Sequence, residues 1–157
     1  MIERVSYAEQ QQDFLEAMGV TSYLEPTFDI EAIRQCFDMV LEELKELSLE
    51  VIKCEDMVEK DDFTDETNTL ANITAELVDL VYVSCQMANR LGLPFDRMFE
   101  AIHEANLAKR VKGKVLRSPE GKVLKPKGWK PVDKLAVLNP SKVYDSILPY
   151  PEVKIPS

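Results

Sequence analysis

Between Leu70 and Asn89 the chain carries only two charged residues, Glu76 and Asp79. The rest of the stretch is apolar or neutral, with Ile73, Leu80, Val83 and Met87 at helical spacing around the two acids. This pattern predicts a helix over about residues 69–90 that is apolar nearly all the way round. Such a helix needs neighbours to cover it. Gly92 fits as its stop. A membrane span is excluded, because the two acids and Asn72, Thr74, Ser84 and Gln86 interrupt the apolar run. A bundle of helices with this one inside is the simplest outcome.

The flanking sequence supplies the neighbours. Ser6-x-x-Glu9 is a capping-box pattern that opens a short helix to about Met18, where Gly19 ends it. Thr21 to Thr27 reads as a loop around Pro26. Asp29 is a good N-cap for a long second helix. On that helix Ile33, Phe37, Val40, Leu41, Leu44, Leu47 and Val51 form one apolar stripe. It fades between Cys54 and Lys60, and Asp61 to Asn68 is an acidic loop. Pro94 suits the first turn of a fourth helix running to about Arg110, with Phe95, Met98, Phe99, Ile102 and Leu107 on it.

Beyond Val111 the character changes, with Gly113, Pro119, Gly121, Pro126, Gly128 and Pro131 as punctuation. Val115 to Leu124 is expected to form a small hairpin or an extended loop. The expected fold is therefore all-α, a four- to five-helix bundle with an irregular or hairpin-containing C-terminal segment. One domain is expected over residues 1–133, with a core at 29–110 and a basic segment at 111–133. Residues 134–157, with Pro140, Pro149, Pro151 and Pro156, are expected to be an extended arm.

The acids carry the chemistry. A helix turns about 100° per residue, so Glu76 and Asp79 lie about 60° apart on one face. Two carboxylates on a covered helix are costly unless something compensates them. No Lys or Arg lies within four residues of either. The long helix offers more acids, Glu42, Glu43 and Glu46, within one arc. A glutamate-rich exposed face is common, so this second cluster alone says little. If the two arcs face each other, four or five carboxylates converge. That number of hard oxygen donors suits Mg²⁺ or Mn²⁺ rather than zinc. Glu50 continues the arc and is expected beside the site or on the surface. Asp61, Asp62, Asp65 and Glu66 read as solvated.

The net charge of −9 is unevenly spread. Residues 109–130 hold nine basic groups and one acid, leaving 10 basic against 27 acidic groups elsewhere. That balance argues against a general nucleic-acid binder and suits a site where metals meet carboxylates and phosphates meet lysines. Cys36, Cys54 and Cys85 show no close pairing, and the first residues are polar without an apolar segment. Reduced thiols and a cytoplasmic location without membrane attachment are expected.

Glu42-Glu43-x-x-Glu46 followed about thirty residues later by Glu76-x-x-Asp79, on two helices of a small all-α chain, resembles the MazG-like superfamily of all-α nucleoside triphosphate pyrophosphohydrolases. That group includes MazG proteins, phosphoribosyl-ATP pyrophosphohydrolase and dimeric dUTPase. His103-x-x-Asn106-x-x-Lys109, Glu120-Gly121-Lys122 and Lys127-Gly128-Trp129-Lys130-Pro131 extend the likeness to the single-domain members of phages and mobile elements, over roughly residues 29–133. Residues 1–28 and 140–157 carry no usable motif.

The resemblance implies Mg²⁺-dependent cleavage between the α- and β-phosphates of a nucleoside triphosphate, with dNTPs the leading substrates and clearance of the nucleotide pool the implied role. Phosphoribosyl-ATP and ppGpp-type alarmones are the alternatives. Glu42, Glu46, Glu76 and Asp79 would bind metal, and Glu43 would act as general base or orient the water. Glu42 and Glu43 can exchange these roles. Lys109 would contact phosphate, and Asn106 phosphate or sugar. Lys125, Lys127 and Trp129 are further candidates for closing over the substrate, although Trp129 also suits a loop anchor. The superfamily works as dimers or tetramers, so a homo-oligomer is expected, since a short helical unit leaves an apolar face to cover.

Two other classes compete. Glu100-x-x-His103 has the spacing used by ferritin-like di-iron bundles, which need two such motifs where this chain has one. A non-catalytic helical interaction module has no use for uncompensated buried acids. No P-loop or Ser/His/Asp arrangement is present.

Overall fold

The structure is a computed structural model that describes residues 5–139. The chain divides into two compact units, Met1–Asp96 and Arg97–Ser157. Five helices and one two-stranded sheet are formed among the described residues, so the fold is all-α with an irregular C-terminal part.

In the first unit, α1 (Tyr7–Ala17) starts on the expected capping box. Ser6 Oγ accepts the Glu9 N–H at 3.1 Å, and the Glu9 carboxylate accepts the Ser6 N–H at 2.7 Å. α2 (Ile30–Lys60) is capped by Asp29, whose carboxylate accepts the N–H groups of Glu31 and Ala32, each at 3.0 Å. Both caps satisfy donors that a helix start leaves unpaired. α3 (Glu66–Arg90) begins three residues before the expected start at 69. Only Asp61 to Asp65 makes the turn, because polar residues fit an exposed first turn and Glu66 complements its dipole.

The end of α3 is stitched to the loop before α2. Tyr23 N–H donates to the Arg90 carbonyl at 3.1 Å, and Thr27 N–H to the Leu91 carbonyl at 2.9 Å. Gly92 makes this approach possible. Its φ is +66°, and a Cβ there would lie 2.4 Å from the Glu25 carbonyl oxygen.

α3 packs against α2 in antiparallel fashion and against α1. Ala8, Leu15, Ala32, Cys36, Val83, Cys85, Ala88 and Leu91 are buried. So is Gln11, which donates to Gln86 at 3.3 Å and accepts from Asn89 at 2.7 Å. The expectation that α3 is covered all round is corrected here. Leu70, Leu77, Val78 and Val81 are exposed, as are Phe37, Leu41, Leu44 and Val51 of the α2 stripe. The inward face of α2 is instead the one carrying Ala32, Cys36 and Glu50. Of its apolar stripe, Ile33, Val40 and Leu47 are half-buried, while Phe37, Leu41, Leu44 and Val51 stay exposed among the described residues.

The second unit holds most of α4 (Phe95–Leu107), which stops short of the expected Arg110. Arg110 and Val111 instead form β1, paired antiparallel with β2 (Lys114–Val115) across Lys112 and Gly113, both at positive φ. Two such residues make the tight turn that a hairpin's twist favours. The expected hairpin follows, with a bridge between Arg117 and Val123 and a Leu124 N–H to Leu116 carbonyl bond of 2.8 Å. Where the extended arm was expected to begin there is a short α5 (Lys134–Leu138), capped by Asp133. The rest of that expected arm, residues 140–157, lies outside the described residues. No helix among the described residues is long and apolar enough to cross a membrane.

Candidate metal centre

Helical phase decides which acids meet. Glu43 lies seven residues after Cys36 and seven before Glu50, both buried, so all three point to the same side of α2. Glu76 lies seven residues from Thr69 and from Val83, both buried on α3. The antiparallel packing of α2 on α3 then sets the two acids opposite each other. Carboxylate oxygens of Glu43, Glu46 and Glu76 lie within 4.8 Å of one another. Glu43 and Glu76 are half-buried and Glu46 is exposed.

Two other predicted ligands stand differently. Glu42 is exposed and is not in this trio, since it precedes Glu43 by about 100° of helix rotation. Asp79 is also outside the trio and exposed, yet its charge acts on both Glu43 and Glu76. The Glu43 carboxyl is pushed above the ordinary glutamate range, first by burial and then by the charges of Asp79, Glu46, Glu76 and Glu42. Glu76 is pushed the same way, first by burial and then by Glu46, Asp79 and Glu50. Like charges gathered in a partly dry place each favour the neutral acid.

No ion pair among the described residues involves any of the trio; the two that occur are Lys53–Glu50 and Lys60–Asp56. Three convergent carboxylates with no cation of their own fit a hard divalent ion, whose charge would offset theirs. The cluster contains no histidine. Glu100 and His103 are exposed on α4 in the second unit, so the di-iron reading has no second motif to stand on.

One turn pair beyond the trio, Glu50 is buried rather than on the surface. It is bonded to Lys53 and accepts from Asn72 Nδ2 at 3.3 Å. These partners, Lys53 first, hold its carboxyl below the ordinary range. Asn72 was not singled out in the sequence. Its signal was only that it falls four residues before Glu76, one helical turn along α3.

The second unit gathers most of the remaining predicted residues. Lys109 Nζ donates to Asn106 Oδ1 at 2.6 Å. The Trp129 indole N–H donates to the Ala105 carbonyl at 2.7 Å. Lys125 and Lys109 ammoniums lie 4.6 and 5.7 Å from the Trp129 ring centroid. Lys127 is exposed and makes no ion pair among the described residues.

A sequence model of the phosphoribosyl-ATP pyrophosphohydrolase family matches residues 12–106. The match takes in most of α1, all of α2 and α3, and both acidic motifs. It begins earlier than the expected likeness at 29 and ends before Lys109, so the basic segment lies outside it. No curated protein matches the chain.

Proposed function

Because the chain belongs to the phosphoribosyl-ATP pyrophosphohydrolase family, within the MazG-like all-α superfamily, we propose that it hydrolyses a nucleoside triphosphate between its α- and β-phosphates. A metal-dependent pyrophosphohydrolase of nucleotides is what the family establishes. The finer reading rests on one observation, the uncompensated trio Glu43, Glu46 and Glu76.

Glu46, Glu76 and Asp79 would hold the metal, for which Mg²⁺ is proposed and Mn²⁺ is a substitute. When bound, it lowers the pKa of coordinated water and offsets triphosphate charge. Glu43 takes the proton of the attacking water. Its half-buried place beside Glu46 and Glu76 supports that role for Glu43 rather than for exposed Glu42. The water oxygen bonds to the α-phosphorus while the bond from that atom to the bridging oxygen breaks. Pyrophosphate leaves with the bridging oxygen. Asn106, Lys109, Lys125 and Lys127 are proposed to contact phosphate or sugar of the substrate.

Canonical or damaged dNTPs are the leading substrates, and clearing the nucleotide pool is the proposed role. The name of the matched family favours a second reading, phosphoribosyl-ATP. Both substrates carry a triphosphate, so the same residues serve either. The deciding experiment is pyrophosphate release with Mg²⁺ on a panel of NTPs, dNTPs and phosphoribosyl-ATP. Preference for dNTPs supports the first reading and preference for phosphoribosyl-ATP the second. No release from any of them overturns both.

The protein is further proposed to work as a homodimer or homotetramer. Exposed Phe37, Leu41, Leu44 and Val51 form a continuous stripe beside the acidic face, as an interface between copies requires. A monomeric mass by light scattering at micromolar concentration would sink that claim. A cytoplasmic location is proposed from Cys36, Cys54 and Cys85, all free thiols.

A further inference from the structure

We propose that Trp129 is a positioning residue, which gathers Lys109 and Lys125 into one anion subsite for the phosphate chain of the substrate. This rests on the triphosphate reading above and adds a role for the ring. A tryptophan in a basic loop invites a stacking role against a nucleobase. The geometry assigns it otherwise.

The ring is fixed from both ends. Its backbone closes a turn, with the Trp129 N–H bonded to the Pro126 carbonyl at 3.1 Å and Gly128 at φ +84°. Its indole N–H ends on the Ala105 carbonyl, one of the last four of α4, which a helix leaves without internal partners. The loop is thereby tied to the end of α4, and the indole has no donor left for a base.

The ring itself serves cations. Lys125 is the residue just before the turn that Trp129 closes, and Lys109 comes from the residues just past α4. Twenty-four residues separate Trp129 from Ala105, so a single indole–carbonyl bond brings two distant lysines to one place. Each ammonium is attracted to the electron-rich ring. Neither forms an ion pair among the described residues. Two like charges held together by a neutral ring repel each other, and a polyanion placed between them removes that cost. Asn106, bonded to Lys109 Nζ, fixes the direction from which that lysine acts.

The test uses inorganic tripolyphosphate in EDTA, so that metal-mediated binding contributes nothing. Trp129 is the single tryptophan of the chain, so its fluorescence reports this site alone. Titration of the full-length protein is expected to change that fluorescence saturably, as the ammoniums move from the ring to phosphate. The double variant K109Q/K125Q is expected to abolish the change. By calorimetry, Trp129→Ala is expected to weaken binding about tenfold or more although both lysines remain, the loss of one charge-assisted contact. Trp129→Phe, which keeps a ring but loses the bond to Ala105, should fall between.

Wild-type affinity in Trp129→Ala, or an unchanged fluorescence response in K109Q/K125Q, overturns the proposal. If Trp129→Ala does not fold, the lysine variants decide on the native ring. The readout needs no turnover. Normal titration with no pyrophosphate release from nucleotides would remove the activity and leave the subsite. Release without titration would remove the subsite alone.

Discussion

Glu43 and Glu50 are the same residue type, seven positions apart on the same face of α2, and their surroundings drive them in opposite directions. Glu50 has Lys53 and Asn72 as partners, and its carboxyl is held low. Glu43 has Glu46, Glu76 and Asp79 for neighbours, and its carboxyl is pushed up. One layer of the helix pair is electrically closed, and the next is open. A closed layer needs nothing from outside. An open one is destabilised until a cation arrives, which is the condition a binding site must meet. Glutamate content alone would not separate them.

The contrast breaks most readily at the open layer. Glu43→Gln is expected to lower pyrophosphate release by about 10²–10⁴-fold, the usual weight of a general base, with the fold kept. Asp79→Asn should also lose most activity, at least about tenfold, by removing a ligand charge. Wild-type rates in both would reject the site. Next comes metal linkage. Saturating Mg²⁺ is expected to raise the melting temperature by about 5–10 °C, and Glu76→Gln to erase the rise. A rise that persists in Glu76→Gln would place the ion elsewhere.

Changes at the closed layer should show the reverse pattern. Glu50→Gln is expected to leave kcat within about threefold of wild type, because it touches no reacting group, while lowering the melting temperature by freeing Lys53 from its partner. Loss of activity without loss of stability would move Glu50 into the site.

The smallest effect is the pH dependence without metal. Glu43 and Glu76 hold protons to higher pH in the folded chain than in the unfolded one. Their layer therefore loses stability as pH rises from the ordinary glutamate range through their raised values. Glu50 stabilises above the ordinary range and loses that contribution as pH falls through its lowered value. Melting curves of wild type against Glu43→Gln and Glu50→Gln should give pH slopes of opposite sign. Equal slopes would erase the distinction between the layers.

Much of this was legible in the sequence, and for local reasons. Ser6 with Glu9, and Asp29 ahead of α2, are chemical signals that act within three residues, and both caps formed. The isolation of Glu76 and Asp79 was equally plain. Which glutamate of α2 joins them was not, because Glu42 and Glu43 differ only in rotation about the helix axis. The phase that counts is set by where α2 meets α3. The apolar stripe of α2 does not tell which of its members turn inward: Ile33, Val40 and Leu47 are half-buried, and Phe37, Leu41 and Leu44 stay exposed among the described residues. The first strand, Arg110–Val111, does not show in the sequence, because the helical pattern of α4 reads on past Leu107 to about Arg110. The Trp129 bond to Ala105 joins residues too far apart in sequence for any local pattern to reveal.

Gly92 gains a meaning from this arrangement. It lets the Tyr23–Thr27 loop lie against the end of α3, and that loop delivers Asp29, from which α2 departs. Asp29 is a fulcrum and α2 is the lever. Glu43 sits about 20 Å along it, so a tilt of about 5° at the start would carry its carboxylate about 2 Å sideways. A side chain at residue 92 would therefore disturb acids it never touches, and the aim of the reaction depends on an atom that is not there.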